Sequence, residues 1–135
     1  MGKEYIWDRV RKRKVVATPE ERVRQWIIGE LTNNRGYPLE MLSCEYSFSH
    51  NRKAYRCDLL VFNRKLKPIM AIECKAPNVK IEQSVFDQIG RYNLALQVNY
   101  LLVTNGVESY LVTRSLSGEH SFISYIPHYN EISQQ

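Results

Sequence analysis

Three side chains in the middle of this chain could do chemistry together: Asp58, Glu73 and Lys75. Glu73 and Lys75 lie two residues apart at the end of the apolar run Pro68–Ile69–Met70–Ala71–Ile72, and Ala76–Pro77 follows them. Strand side chains repeat every two residues, so a carboxylate and an ammonium project from one face where the strand ends. At the exit of a buried strand such a pair is costly without a partner. Asp58 interrupts a second β-forming run, Tyr55 to Phe62, where propensity disfavours an aspartate. If the two runs pair, Asp58 and Glu73 can converge on one divalent ion with Lys75 beside it. Mg²⁺ suits the setting, with Mn²⁺ as a substitute, because it takes oxygen ligands and keeps several waters. The backbone carbonyl of Cys74 could add another oxygen. An activated water, a cation on the phosphate and a lysine near the developing charge are what phosphodiester hydrolysis needs. The plainer reading is a solvated ion pair at a strand end.

The flanking elements must position these groups. Thr18–Pro19–Glu20–Glu21 is a helix start, with Thr18 as N-cap, Pro19 at the first helical position and Glu21 completing a T-x-x-E capping box. Val23, Trp26, Ile27 and Leu31 recur at helical spacing, and Asn33–Asn34–Arg35–Gly36 supplies the stop. Glu20 is in line with Val23 and Ile27, so it is expected to point to the buried side and Glu21 away from it. Three strand-like runs follow, 41–48, 55–62 and 67–74, with short turns between them that predict an antiparallel meander. A helix over about 81–97, with Val85, Ile89, Tyr92 and Leu96 as its apolar stripe, leads to a buried strand over 99–104. Strand, crossover and strand predict one parallel pair. A hairpin, 108–114 and 121–126 around Ser117–Gly118, completes the chain, and residues 4–17, without clean period, read as an arm packed onto the domain. The fold class is therefore α/β, an αβββαβ core on a mixed sheet.

At 135 residues a single domain is expected. No apolar run approaches the roughly 20 residues of a membrane span, and the first residues lack a signal-peptide core, so the expectation is a cytoplasmic protein without membrane contact. Cys44, Cys57 and Cys74 are far apart, which argues against zinc and disulfide frameworks and for small core residues. The net charge of +5, much of it in Arg9–Val10–Arg11–Lys12–Arg13–Lys14, is compatible with a polyanionic partner without naming one.

Asp58 followed by Glu73–Cys74–Lys75 on the next strand resembles the D…E-x-K signature of the PD-(D/E)XK nuclease superfamily, although Cys57 replaces the proline of that name. Gln88–Ile89–Gly90–Arg91–Tyr92 matches the Q-x-x-x-Y element of its RecB-like branch. From Thr18 to Gly106 the chain is similar to the N-terminal nuclease domain of type I restriction enzyme R subunits, most of all in Ile72–Pro77 and Asp87–Asn93. The resemblance implies a restriction-endonuclease-like fold, with a basic arm over 1–17, a core over 18–106 and a hairpin and tail over 107–135. It implies that Asp58 and Glu73 bind Mg²⁺, that Lys75 is the catalytic lysine, and that a helix glutamate, Glu20 by its alignment with the apolar stripe, joins the metal site. Gln88 and Tyr92 would contact DNA or orient the site, one helical turn apart. Packing alone would make Tyr92 a core residue. DNA is the implied partner, within a homodimer or a larger restriction complex. No P-loop is present and 135 residues leave no room for a translocating motor, so the chain is expected to be free-standing or part of something larger. The alternatives are a non-cleaving nucleic-acid-binding or regulatory module, and a structural domain whose carboxylates and Lys75 form internal ion pairs.

Overall fold

A computed structural model describes residues 2–114 and 120–134, with only the backbone of Tyr92 and His120. Helix α1, Pro19–Gly29, starts where the sequence predicts: the Thr18 hydroxyl accepts the Glu21 N–H at 3.1 Å. Only half of the capping box forms, because the Thr18 N–H goes to the Val16 carbonyl and the Glu21 carboxylate turns to Arg11 and Gln25. The helix continues through a π-helical turn over Glu30–Asn34 before the chain reverses at Gly36. Gly36 has φ +72°, and a Cβ there would lie 2.3 Å from the His128 ring, so glycine is required by both conformation and space.

The six-stranded sheet runs in sequence order: β3 (Leu42–His50), β4 (Lys53–Phe62), β5 (Pro68–Cys74), β6 (Tyr100–Thr104), β7 (Ser109–Arg114) and β8 (His120–Ile123). All neighbours are antiparallel except β5 and β6, which the crossover helix α2 (Gln83–Leu96) makes parallel. On one face Ile27 and Ile28 of α1 and Leu31 of the π-helical turn pack against Leu59, Val61, Met70, Ile72 and Leu102. On the other, Val85 and Ile89 of α2 cover Leu60, Ala71, Leu101 and Val103. Strand β5 is buried on both faces from Ile69 to Cys74, as a covered central strand should be. Asn93, buried near the end of α2, both donates to the Val98 carbonyl and accepts from the Val98 N–H, fixing the helix end onto β6.

The β3–β4 hairpin departs from simple alternation. Leu42 and Cys44 pack on the α1 side, whereas Tyr46 and Phe48 pack on the α2 side, although all four would share a face in a regular strand. On β4, Tyr55 and Cys57 belong to the α2 side and Leu59 and Val61 to the α1 side. The pleat therefore reverses between the pairs Cys44–Leu59 and Tyr46–Cys57, where Glu45, at φ +52°, lies across from Asp58. A non-glycine residue in that region is strained. Beyond it, the turn residues Asn51 and Arg52 also have positive φ, as a two-residue hairpin requires.

Two segments have more structure than their sequence pattern predicts. The arm contains a hairpin, β1 (Tyr5–Asp8) with β2 (Arg13–Val16), anchored by the fully buried Asp8 carboxylate, which accepts from the Val10 N–H and pairs with Arg11. In the tail, a short helix α3 (Tyr129–Ile132) buries Tyr129 and Ile132, with Tyr37 donating to the Pro127 carbonyl. The predicted turn at Ser117–Gly118 lies outside the described residues. Cys57 and Cys74 are buried, Cys44 is half-buried and all three are free thiols. Among the described residues no helix is long and apolar enough to cross a membrane.

Candidate active site

Antiparallel pairing of β4 with β5, Leu59 opposite Ile72, brings Asp58 level with the end of β5. One Asp58 carboxylate oxygen accepts the Cys74 N–H at 2.6 Å, so the aspartate that is out of place by propensity caps the strand that carries Glu73. Parallel pairing with β6 holds the other edge, and the Lys75 N–H donates to the Thr104 carbonyl at 2.9 Å. Glu73 and Lys75 do share a face: their charged groups are 3.3 Å apart. Glu73 is 6% exposed, and its second oxygen, Oε2, is buried with no hydrogen-bond partner.

Burial first, then the negative charge of Asp58, pushes the Glu73 carboxyl up to about 7, with Lys75 opposing both. Asp58 is also raised, by burial, against the Cys74 N–H and the positive charges of Arg24 and Lys75. Two adjacent acids destabilised by burial, Glu73 also by the charge of Asp58 and Asp58 also by that of Glu45, form a site that favours a cation. Burial pushes the Cys57 thiol up to about 12 and raises Cys74 well above its ordinary value, so neither offers a thiolate. The available donors are carboxylate oxygens, which suit a hard divalent ion.

The helix glutamates reverse the expectation. Glu21 is buried and Glu20 is exposed. Glu21 shares its helix face with Arg24, Gln25 and Ile28, and its carboxylate is occupied by Arg11 at 2.6 Å and Gln25 at 3.1 Å, with Arg24 at 3.6 Å. Glu20 nonetheless feels the site: burial of its carboxyl and then the charge of Asp58 raise its pKa, and Lys75 lowers it. It lines an open cleft with Arg24, Glu45 and Ala76. Among the described residues no three His, Cys, Asp or Glu side chains stand close enough to form a ready-made metal cluster. Asp58, Glu73 and Lys75 are thus brought together, with Glu20 at the rim. Gln88 is half-buried on α2, and the side chain of Tyr92 lies outside the described residues.

Sequence reasoning missed two arginines and a glutamate. Arg24 is 5% exposed and spans Glu21, Glu45 at 3.5 Å and Asp58 at 3.8 Å, while its Nε and Nη1 have no hydrogen-bond partner. Arg11 ties Asp8 and Glu21 to Glu45, the last at 3.4 Å. The i, i+3 spacing of Glu21 and Arg24 was a readable signal. A cleft of about 690 Å³ lies beside β7, β8 and residues 124–126, far in sequence from these acids and lined by no carboxylate among the described residues.

Residues 19–127 match the family described as the type I restriction enzyme R protein N terminus. The fold is similar to that of a fragment described as an HsdR subunit of a type I restriction enzyme from Vibrio vulnificus YJ016, with a TM-score of 0.64 and 21% identity. That likeness covers 85% of this chain and 24% of the other, so the chain spans about a quarter of the structure it resembles. No curated protein matches the sequence.

Proposed function

The chain belongs to the family of type I restriction enzyme R protein N termini, and on that premise we propose that it is a Mg²⁺-dependent endodeoxyribonuclease unit of the PD-(D/E)XK kind. The observation that carries this reading is Glu73: a buried carboxylate with one unpartnered oxygen, beside a second, half-buried acid and one lysine. Asp58 and Glu73 would hold the divalent ion, with the Cys74 carbonyl and Glu20 as further oxygens. When bound, such an ion polarises the phosphate and lowers the pKa of a coordinated water.

The chain's own residues have separable tasks. The Cys74 N–H fixes the rotamer of Asp58 and leaves its other oxygen, Oδ1, facing Arg24 at 3.8 Å. Arg24 offsets the charge of Asp58 and Glu45, so that the acids can be held close without a cation. Lys75, partly exposed and 3.3 Å from Glu73, carries its ammonium to the solvent side of the pair, where a phosphodiester would arrive. There it would stabilise the charge that develops on the phosphoryl oxygens. Gln88 and Tyr92 would orient the strand or the acids. Because this chain spans a quarter of its structural relative, translocation and sequence recognition would lie with other parts of a larger restriction complex.

The test is plasmid cleavage by the purified chain with Mg²⁺ or Mn²⁺ against EDTA, alongside Asp58→Ala and Lys75→Ala. Nicking or cutting only with metal, lost in both variants, is expected. Equal residual cleavage by wild type and variants would refute the assignment. Metal-independent DNA binding without cleavage under any metal would replace it with a binding module.

A further inference from the structure

Strand β5 pairs with β4 only from Leu59 onward, so the part of the β3–β4 hairpin beyond Asp58 is a two-stranded ribbon that grows from the acidic site. From Tyr46 to Cys57 this ribbon contains Arg52, Lys53 and Arg56 and no acidic residue. Arg52 and Arg56 are exposed and make no ion pair among the described residues. Arg56 stands two residues before Asp58, so positive charge begins where the carboxylates end. By contrast, the most basic run in the sequence is partly consumed: Arg9 donates to Thr32, and Arg11 is bound by Asp8, Glu21 and Glu45.

The two faces of the ribbon differ. The pleat reversal turns Tyr46, Phe48 and Tyr55 toward the α2 core, where they stack on one another at centroid distances of 6.5 and 5.6 Å. Arg56 and its cross-strand partner Ser47 occupy the other, open face. Surfaces that hold single strands present aromatic rings for bases to stack on; here the three rings are half-buried against one another and the α2 core. A two-stranded ribbon with a polar outer face and basic tip has the width and charge to enter the major groove of a duplex.

We propose that the β3–β4 ribbon docks double-stranded DNA, with Arg52 and Arg56 on phosphates, and thereby delivers the backbone to Asp58, Glu73 and Lys75. DNA as the ligand rests on the functional reading above; the ribbon as its receptor rests on charge, exposure and the pleat reversal. Docking of this kind positions the duplex without reading its sequence.

The test is fluorescence anisotropy of the 135-residue chain with a labelled duplex of about two helical turns and with a single strand of the same length, in EDTA across a salt series. The double variant Arg52→Glu/Arg56→Glu changes exposed side chains only, and an unchanged thermal melt verifies its fold. It should bind the duplex at least ~10-fold more weakly, with the log–log salt slope reduced by about 1–2. The matched variant Lys12→Glu/Lys14→Glu should lose less than ~3-fold, since these contacts would not contribute a counterion-releasing phosphate pair. The proposal is overturned if the wild type does not bind duplex, if it prefers the single strand, or if both charge reversals weaken binding equally. Ribbon-dependent binding without metal-dependent cleavage would sink the nuclease reading and leave the ribbon standing. Cleavage with ribbon variants that bind normally would do the reverse.

Discussion

Glu45 offers a test of the pleat reversal that needs no ligand. In an ordinary strand, glycine is less stable than alanine by about 0.5–1 kcal/mol, because it loses more backbone freedom on folding. At φ +52° the balance shifts, since any side chain with a Cβ carries a left-handed penalty of about 1–2 kcal/mol that glycine escapes. Replacing Glu45 by either residue removes the same two ion pairs, with Arg11 at 3.4 Å and Arg24 at 3.5 Å. That loss cancels in the comparison, and subtracting the glycine entropy from the relieved strain at mid-range values leaves Glu45→Gly about 0.75 kcal/mol more stable than Glu45→Ala, within a span of about 0–1.5 kcal/mol. For a domain of this size that is roughly 2–4 °C in melting temperature. Thermal and urea denaturation of the two variants, followed by circular dichroism, measure it. An alanine variant as stable as the glycine variant, or more so, would refute the strained reversal. It would also remove the physical reason for the change of face at Asp58.

Glu73 should give the metal-free protein a distinctive pH dependence. Its folded pKa, raised to about 7 from 4.5, means that the folded state holds the extra proton between these values. Stability contributed by this group is therefore present at low pH and falls as pH rises through that window, at a slope of up to about 1.4 kcal/mol per pH unit. Melting temperatures in EDTA should decline from pH 5 to 8 more steeply for wild type than for Glu73→Gln; parallel profiles would show that the carboxylate ionises normally. Mg²⁺ should offset part of that decline. At ten times its Kd it would add about 1.4 kcal/mol, and Asp58→Ala should abolish the increment, so an equal Mg²⁺ response in the variant would place the ion elsewhere.

Most of the sheet was legible because its signals are local. The apolar run ending in Glu73, the Thr18 cap and the crossover between β5 and β6 each follow from a few adjacent residues. Asp58 was legible for the opposite reason, as a polar residue where propensity wants none, and it caps Cys74. What escaped depended on partners distant in the chain. Glu20 aligns with the apolar stripe of α1, yet Arg11 and Arg24 draw Glu21 inward instead. The capping-box pattern was present too, but a guanidinium ten residues upstream outcompeted the helix end for the same carboxylate. The reversal at Glu45 had no compositional mark at all, since glycine, the residue that would announce it, is absent there. Asp8 and the first hairpin were hidden among cations in an arm whose residues show no clean period, so its packing on the domain was legible and its strands were not.

The N-terminal hairpin also sets where this unit can be divided. The family match begins at residue 19, after the second strand of that hairpin. A fragment trimmed to that boundary would lose Arg11, the guanidinium that bridges Glu21 and Glu45, and would leave Arg24 to answer three acids from two strands and a helix. Arg24 would then be drawn from Asp58 toward the released glutamates, and the site would loosen although none of its own residues had been removed. The smallest portable form of this domain therefore includes a segment that lies outside the pattern by which the domain is recognised.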